Sequence, residues 1–368
     1  MVRSFVELNN VQPGFDSAGV LTFNAAPPFA RYPQAIDRVG FNLELQRRLE
    51  AIPGVERVAS GFPLPLTGGL FNGRYGLEDA LTNPEAFGQA TYRVVGAGYF
   101  EAMGTALLAG RTFSEADNSD STNVVVVDDK LARILWPTES AIGKRFLIRA
   151  ITPEPEWVEV VGVVEHQRDE DLAVEGPETV YFTDRYLGSF GGTWVVKTGS
   201  DPMSLVGAIR AEIGSLDSDV PVADIELMRT YVDRAMGPTR FALTLIGVFG
   251  VLALVLASIG LYGVLSYVVR QRSAEIGVRM AFGAERGSIL RLVVGQGLSL
   301  AGGGVLLGLI VAVPLTRFME SLLVGVTATD PLTYVGISLL FAAIAAVACY
   351  LPARRATHVD PVTALRDG

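Results

Sequence analysis

Cysteine is almost missing from this sequence of 368 residues: Cys349 stands alone inside an apolar run. One thiol closes no loop within the chain, so no disulfide framework holds the fold together. Histidine is nearly as scarce. His166 and His358 lie far apart, and with a single Cys they exclude a tetrahedral zinc cluster. No GxxxxGKS or GxxxxGKT occurs, and Gly143-Lys144 lacks the upstream glycine such a phosphate cradle needs. HExxH and GxSxG are also absent. No catalytic residue, metal or cofactor is therefore expected, and the chain is not expected to be an enzyme by itself. From Met1 to Phe5 and onward no apolar run follows Arg3, so no leader is expected there.

Charge is unevenly spread. Residues 241–368 hold nine Arg and no Lys against six acids, leaving 21 basic and 33 acidic side chains in residues 1–240. A net charge of −9 argues against nucleic acid, which requires a basic face. An acidic, water-compatible portion joined to an apolar, slightly basic one is the pattern of a soluble domain on a membrane anchor.

Three charge-free runs carry the anchor: Phe241–Val269 with 29 residues, Leu292–Thr316 with 25 and Leu332–Leu351 with 20. A helix rises about 1.5 Å per residue, so about 20 apolar residues cross a bilayer core. Transmembrane helices are predicted over 241–269, 292–316 and 332–351. The first is longer than needed, and its N-terminal end is expected to project as a stalk. Arg270, Arg272, Arg279, Arg286 and Arg291 lie between the first two runs, and Arg354, Arg355 and Arg366 follow the third. Arg317 alone stands between the second and third. The positive-inside rule puts the first loop and the tail in the cytoplasm and residues 1–240 outside. Gly304 and Gly308 in the second run form a small-xxx-small pair suited to close helix packing, in this chain or with a partner. None of the runs holds Asp, Glu, Lys, Arg or His, which argues against a proton-coupled carrier or a polar pore.

Residues 1–240 read as an α+β extracytoplasmic domain. A strand at Gly19–Phe23, a helix over 33–52 with Phe41, Leu45 and Leu49 spaced by four, and a strand at Val55–Ala59 form one unit. The same order recurs as Thr193–Lys197, a helix over 202–216 with Leu205, Ile209 and Ile213 spaced by four, and Val220–Ile225. Two such units predict a split βαβ module with a strand-rich subdomain inserted at about 60–190. Val124–Val127 and Val158–Val164 are the insertion's clearest strands. His166, beside Glu165 and Asp169, reads as a surface histidine on a polar turn, with a general base as the alternative. The acidic groups Glu78-Asp79, Asp128-Asp129 and Asp169-Glu170-Asp171 read as solvated loops, with cation binding as the alternative.

The stretch Arg272–Ile289 (RSAEIGVRMAFGAERGSI) resembles the cytoplasmic loop of FtsX-like permeases, and Pro352–Leu365 (PARRATHVDPVTAL) the same family's C-terminal signature. Ser321–Pro331 is similar to the external loop before its last helix. Tyr99–Phe113 (YFEAMGTALLAGRTF) and Ile134–Arg145 (ILWPTESAIGKR) look like the periplasmic core domain of MacB-type ABC transporters. The order of these motifs is similar in particular to the large duplicated permeases of acidobacteria and relatives, in their C-terminal half. Residues 3–15 look like the segment after a first membrane helix, so the chain is expected to be part of a longer protein.

The resemblance implies a multi-pass inner-membrane permease of a mechanotransmission ABC system, with its large domain in the periplasm. A separate cytoplasmic ATPase would hydrolyse ATP, and the helices would relay its motion to the periplasmic domain, for efflux or export. A second permease copy, or the N-terminal half of a duplicated permease, and a periplasmic adaptor are implied partners. The ATPase-docking loop would present Glu275, Ile276, Arg279, Met280, Ala281 and Gly283. Glu275 and Arg279 are four apart on one helix face. An amphipathic elbow at the lipid surface is the plainer reading of that loop. The alternative function is an FtsX-like scaffold regulating a periplasmic hydrolase.

Overall fold

The computed structural model describes residues 12–69, 71–118, 123–149, 154–169, 172, 174–185, 192–271, 278, 286–318 and 331–356. Two compact units emerge, Asn10–Pro238 and one that includes Thr239–Gly368.

In the first unit, β1 (Val20–Asn24), α1 (Ala35–Glu50) and β2 (Val55–Phe62) form one arm of a split βαβ module. The other arm is β10 (Thr193–Thr198), α4 (Val206–Leu216) and β11 (Ala223–Leu227). All neighbours in the order β11-β1-β10-β2 are antiparallel, so the parallel strands β1 and β2 are separated by β10. Both helices pack on this sheet through the predicted four-residue spacing. Phe41, Leu45 and Leu49 of α1, and Ile209 and Ile213 of α4, meet Leu21, Phe23, Val58, Trp194 and Val196 in one core. Burying each large apolar side chain contributes about 1.5–3 kcal/mol. Trp194, 1% exposed, satisfies its one donor by giving Nε1–H to the Ala25 carbonyl at 3.0 Å. Asp201 caps the turn before α4, accepting from the Met203 N–H at 3.1 Å with Pro202 at the first position.

The last strand starts later than the sequence predicts. Val220 is turned into the core by a reverse turn in which its N–H donates to Asp217 O at 3.3 Å. Asp224 then adopts a left-handed φ of 49° where the β1–β11 register shifts.

Between β2 and β10 the chain builds a closed barrel from β3 (Asn72–Gly76), β4 (Gly88–Val95), β6 (Val124–Asp128), β7 (Arg145–Arg149), β8 (Glu156–Val164) and β9 (Glu178–Thr183). Its order is β4-β3-β7-β8-β6-β9, and a parallel β4–β9 pairing closes the ring. Closure leaves these strands no free edge. A further strand, β5 (Leu107–Gly110), extends along β8. Short helices α2 (Tyr99–Met103) and α3 (Asp129–Leu135) flank the barrel strands in sequence. Tyr92, Val94, Val125, Val127, Phe146, Ile148, Val158, Val160 and Phe182 fill the interior. Tyr92 lies across Gly73, where an added Cβ would sit 2.0 Å from the ring, so only glycine fits there. Its hydroxyl donates to the Arg74 carbonyl at 2.5 Å.

The second unit is helical. Helix α5 (Met228–Gln271) has 44 residues and contributes most of its length to this unit, α6 (Arg286–Phe318) has 33 and α7 (Pro331–Ala356) has 26. Pro331 opens α7, where its missing N–H costs nothing. Helices α6 and α7 pack on each other. Among the described residues one helix, over Met228–Val268, is long and apolar enough to cross a membrane. Shorter apolar stretches occupy Ala301–Ala312 and Val335–Val347. Large apolar side chains point outward on all three helices, among them Phe241, Leu256, Leu307, Ile310 and Leu339. Apolar surface of that extent requires lipid or a partner helix to cover it.

Candidate functional site

The residues expected to dock an ATPase, Glu275, Ile276, Arg279, Met280, Ala281 and Gly283, lie outside the described residues. Their frame is described: α5 ends at Gln271, α6 begins at Arg286, and Val278 between them is exposed. Gly304 and Gly308 sit on an open face of α6, where an added Cβ would meet nothing within 4 Å.

Helix α5 begins on the split module. Met228 is fully buried and Met236 nearly so. Arg234 reaches both carboxylate oxygens of Glu226 on β11 at 3.2 Å and lies over the Tyr231 ring at 5.5 Å. The first turns of α5 are thereby fastened to the edge strand. These turns fall outside the charge-free run because Arg229, Asp233, Arg234 and Arg240 precede it. The apolar spacing of Met228, Tyr231, Val232, Ala235 and Met236 carries the helical signal.

The polar turn around His166 is a partly buried strap, with Gln167 and Asp169 inside, rather than a solvated loop. Glu165 N–H donates to Ala106 O at 2.9 Å, Arg168 N–H to Pro13 O at 3.0 Å, and Leu66 N–H to Asp169 O at 2.7 Å. Leu66 holds a left-handed φ of 64° at that contact. Gln167 donates to Thr105 Oγ1 at 2.6 Å and accepts from Tyr99 at 3.3 Å and from Arg93. Arg93 on β4 is paired with Asp169, and both are almost fully buried. Burial pushes the Tyr99 and Tyr181 hydroxyls upward, so both stay neutral.

His166 is neither a surface histidine nor an available base. Its side chain is 12% exposed and both ring nitrogens face acceptors. Nδ1 is 2.5 Å from Asp128 Oδ2, and Nε2 meets the Glu175 carbonyl. Burial pulls the imidazole pKa down, but Asp128 and that carbonyl raise it further, so the net shift is upward. Asp128 is wholly buried as the N-cap of α3, accepting from Leu131 N–H at 2.8 Å and Thr179 N–H at 2.9 Å. A strand ending in Asp before a helix is the sequence signal that could have found it. The expectation of solvated acids thus fails at Asp128 and Asp169 and holds at Glu78-Asp79, which are exposed.

A third buried carboxyl joins the barrel to the split module. Asp184, just after β9, accepts from Ser60 Oγ at 3.0 Å and faces Asn42 Nδ2 at 3.5 Å. Burial pushes its pKa up, and no charged side chain counters it. Among the described residues no His, Cys, Asp and Glu group could hold a metal. The polar groups therefore brace the body, and none combines a nucleophile with a free base.

The MacB-like periplasmic core domain family matches residues 3–214, and the FtsX-like permease C-terminal family matches residues 247–361. The chain belongs to the MacB-like family of ABC transporter permeases. Curated relatives agree. The macrolide export ATP-binding/permease protein MacB of Rhodopseudomonas palustris (strain HaA2) is 32% identical over 287 residues, covering 74% of this chain and 42% of the relative. A protein of the same name from Neisseria gonorrhoeae (strain ATCC 700825 / FA 1090) is 28% identical over 329 residues, covering 84% and 47%. This MacB-like permease spans less than half the length of the curated relatives it matches. Among solved structures, the periplasmic region of MacB from Actinobacillus actinomycetemcomitans aligns at a TM-score of 0.40 and 17% identity, covering 63% of this chain and 98% of that one. The extracellular domain of the noncanonic ABC-type transporter YknZ aligns at 0.37 and 18%, covering 56% and 99%.

Proposed function

We propose that this chain is the permease part of a mechanotransmission ABC system, passing the motion of an ATPase to a periplasmic body. The reading rests on α5, a single 44-residue helix that starts on β11 and runs on through the charge-free run. At about 1.5 Å per residue it is about 66 Å long, twice a bilayer core. In this reading residues 1–240 form the periplasmic body and 241–368 the membrane part. Spans over 241–269, 292–316 and 332–351 anchor the chain in the inner membrane. The absence of a phosphate cradle is why ATP hydrolysis is assigned to a partner.

The loop between α5 and α6 is the proposed ATPase dock, through Glu275, Ile276, Arg279, Met280, Ala281 and Gly283. Co-purification with the cognate ATPase tests it: Glu275→Arg and Met280→Asp are expected to abolish capture, and unchanged capture removes the assignment. Gly304 and Gly308 are proposed to pack against a second permease copy or half; leucine at both is expected to break that pairing in a crosslinking assay. Topology is read by labelling Glu85→Cys, an exposed site, in intact spheroplasts with Cys349 replaced by Ser. Export is proposed as the output, since the relatives are named for macrolide export.

A further inference from the structure

The outer barrel wall carries an arginine cluster that none of these roles uses. Arg74 on β3 and Arg149 on β7 are direct cross-strand partners, and Arg145 lies on the same side of β7. Side chains alternate along a strand, so Arg145, Leu147 and Arg149 share one face. Between them Leu147 is covered by Ala80 and Phe87, with Trp157 of β8 packed beside it. The Arg149 guanidinium lies over Phe87 at 5.6 Å and that of Arg145 over Trp157 at 5.7 Å. Arg74 and Arg145 are exposed and Arg149 partly so.

None of the three reaches a carboxylate within 4.0 Å among the described residues, although Glu159 stands opposite Arg145 in register. Elsewhere in this acidic domain Arg31, Arg47, Arg111, Arg133 and Arg234 each hold an acid. Like charges directly opposite on adjacent strands destabilise a sheet. Keeping Arg74 against Arg149 is therefore a cost that a bound anion would turn into a gain. Stacking on an aromatic ring occupies a guanidinium's face and leaves its N–H edge turned outward, the edge that takes a carboxylate in a two-pronged bond.

We infer that the wall formed by β3, β7 and β8 is a docking face for an acidic peptide segment of a protein partner. The surroundings favour a slim occupant. Glu78, Asp79 and Glu85 are exposed on the two turns that carry Ala80 and Phe87 over Leu147. A flat anionic membrane would meet these acids together with the arginines, whereas an extended peptide can engage the arginines alone. Residues 1–240 carry more acid than base, so a polyanion is disfavoured on the body at large and needs a local basic patch to bind.

The test uses the full chain in zwitterionic nanodiscs and an octaglutamate peptide bearing a photo-crosslinker. Crosslinks are expected on residues 72–76, 84–89, 145–149 and 156–159, and in the variant R74Q/R145Q/R149Q the yield there falls at least tenfold. The control R57Q/R210Q keeps the wild-type yield. The lysine triple variant retains charge without the fork and is expected to recover only part of the loss, which also serves as the reading should the glutamine variant misfold. Crosslinks confined to the basic loop 270–291, equal loss in the control, or full recovery by lysine each overturn the inference. Phosphatidylglycerol vesicles form the last arm: capture that depends on these arginines, with no peptide crosslinking, assigns the wall to lipid phosphate and overturns it as well.

Discussion

His166 Nδ1 and Asp128 Oδ2 stand 2.5 Å apart, and the other ring nitrogen faces the Glu175 carbonyl. Burial raises the Asp128 carboxyl pKa as well; with that carboxyl ionised, only an imidazolium can donate on both sides. The folded-state pKa is raised, so the stabilisation is fully present below the unfolded value of about 6.5 and is lost as pH rises through the folded value. The melting temperature of the full chain in detergent is expected to fall across that window. His166→Gln should flatten this part of the profile, and an unchanged pH dependence in the variant would show the clamp to be immaterial.

Removing one member of the Arg93–Asp169 pair leaves the other charge buried. Asp169→Ala is expected to cost about 3–5 kcal/mol, the usual penalty for an orphaned buried ion. The double variant Arg93→Met with Asp169→Leu removes both charges and should be the more stable of the two. Urea unfolding compares them, and a double variant weaker than the single one contradicts this account.

Asp184 behaves in the opposite way. Its carboxyl pKa is raised by burial, so the folded state binds its proton more tightly than the unfolded state. Stability from this group is greatest at acid pH and declines as pH rises above the unfolded value of about 3.9. Asp184→Asn keeps the Ser60 bond and removes the buried charge. It should raise the melting temperature at pH 7–8, by roughly 2–4 °C per kcal/mol gained, and change little near pH 4. A loss of stability at neutral pH would refute the assignment.

Helix continuity is testable without touching any contact. Pro238 already removes one backbone donor inside α5, following Gly237. Inserting four glycines after Pro238 should leave membrane insertion and ATPase capture intact while abolishing export. Export at the wild-type level with the insertion present would end the relay proposal.

The regular elements of the split module were legible because one face of each helix is buried. Leu45, Leu49, Ile209 and Ile213 repeat every four residues, and all are nearly or wholly inaccessible. Barrel closure was not legible, since the β4–β9 pairing joins residues 90–95 to 178–183 and leaves no local trace. The strap at 165–169 was misread because its polar side chains match a solvated turn in composition. Their partners, Arg93, Asp128 and Ala106, come from distant strands and loops. The proposed docking loop rests on resemblance, because Arg, Glu and small apolar residues at helical spacing fit a membrane elbow equally well.

Strand β2 is shared by the split module and the barrel: Val55–Ser60 pair with β10, and Gly61 and Phe62 with β4. A displacement entering at Met228 has β11, β1, β10 and β2 to cross before the barrel, each joined to the next by hydrogen bonds. In the relay proposed above, this continuous hydrogen-bonded ladder is what would carry a tilt at the start of α5 across the split module to the barrel.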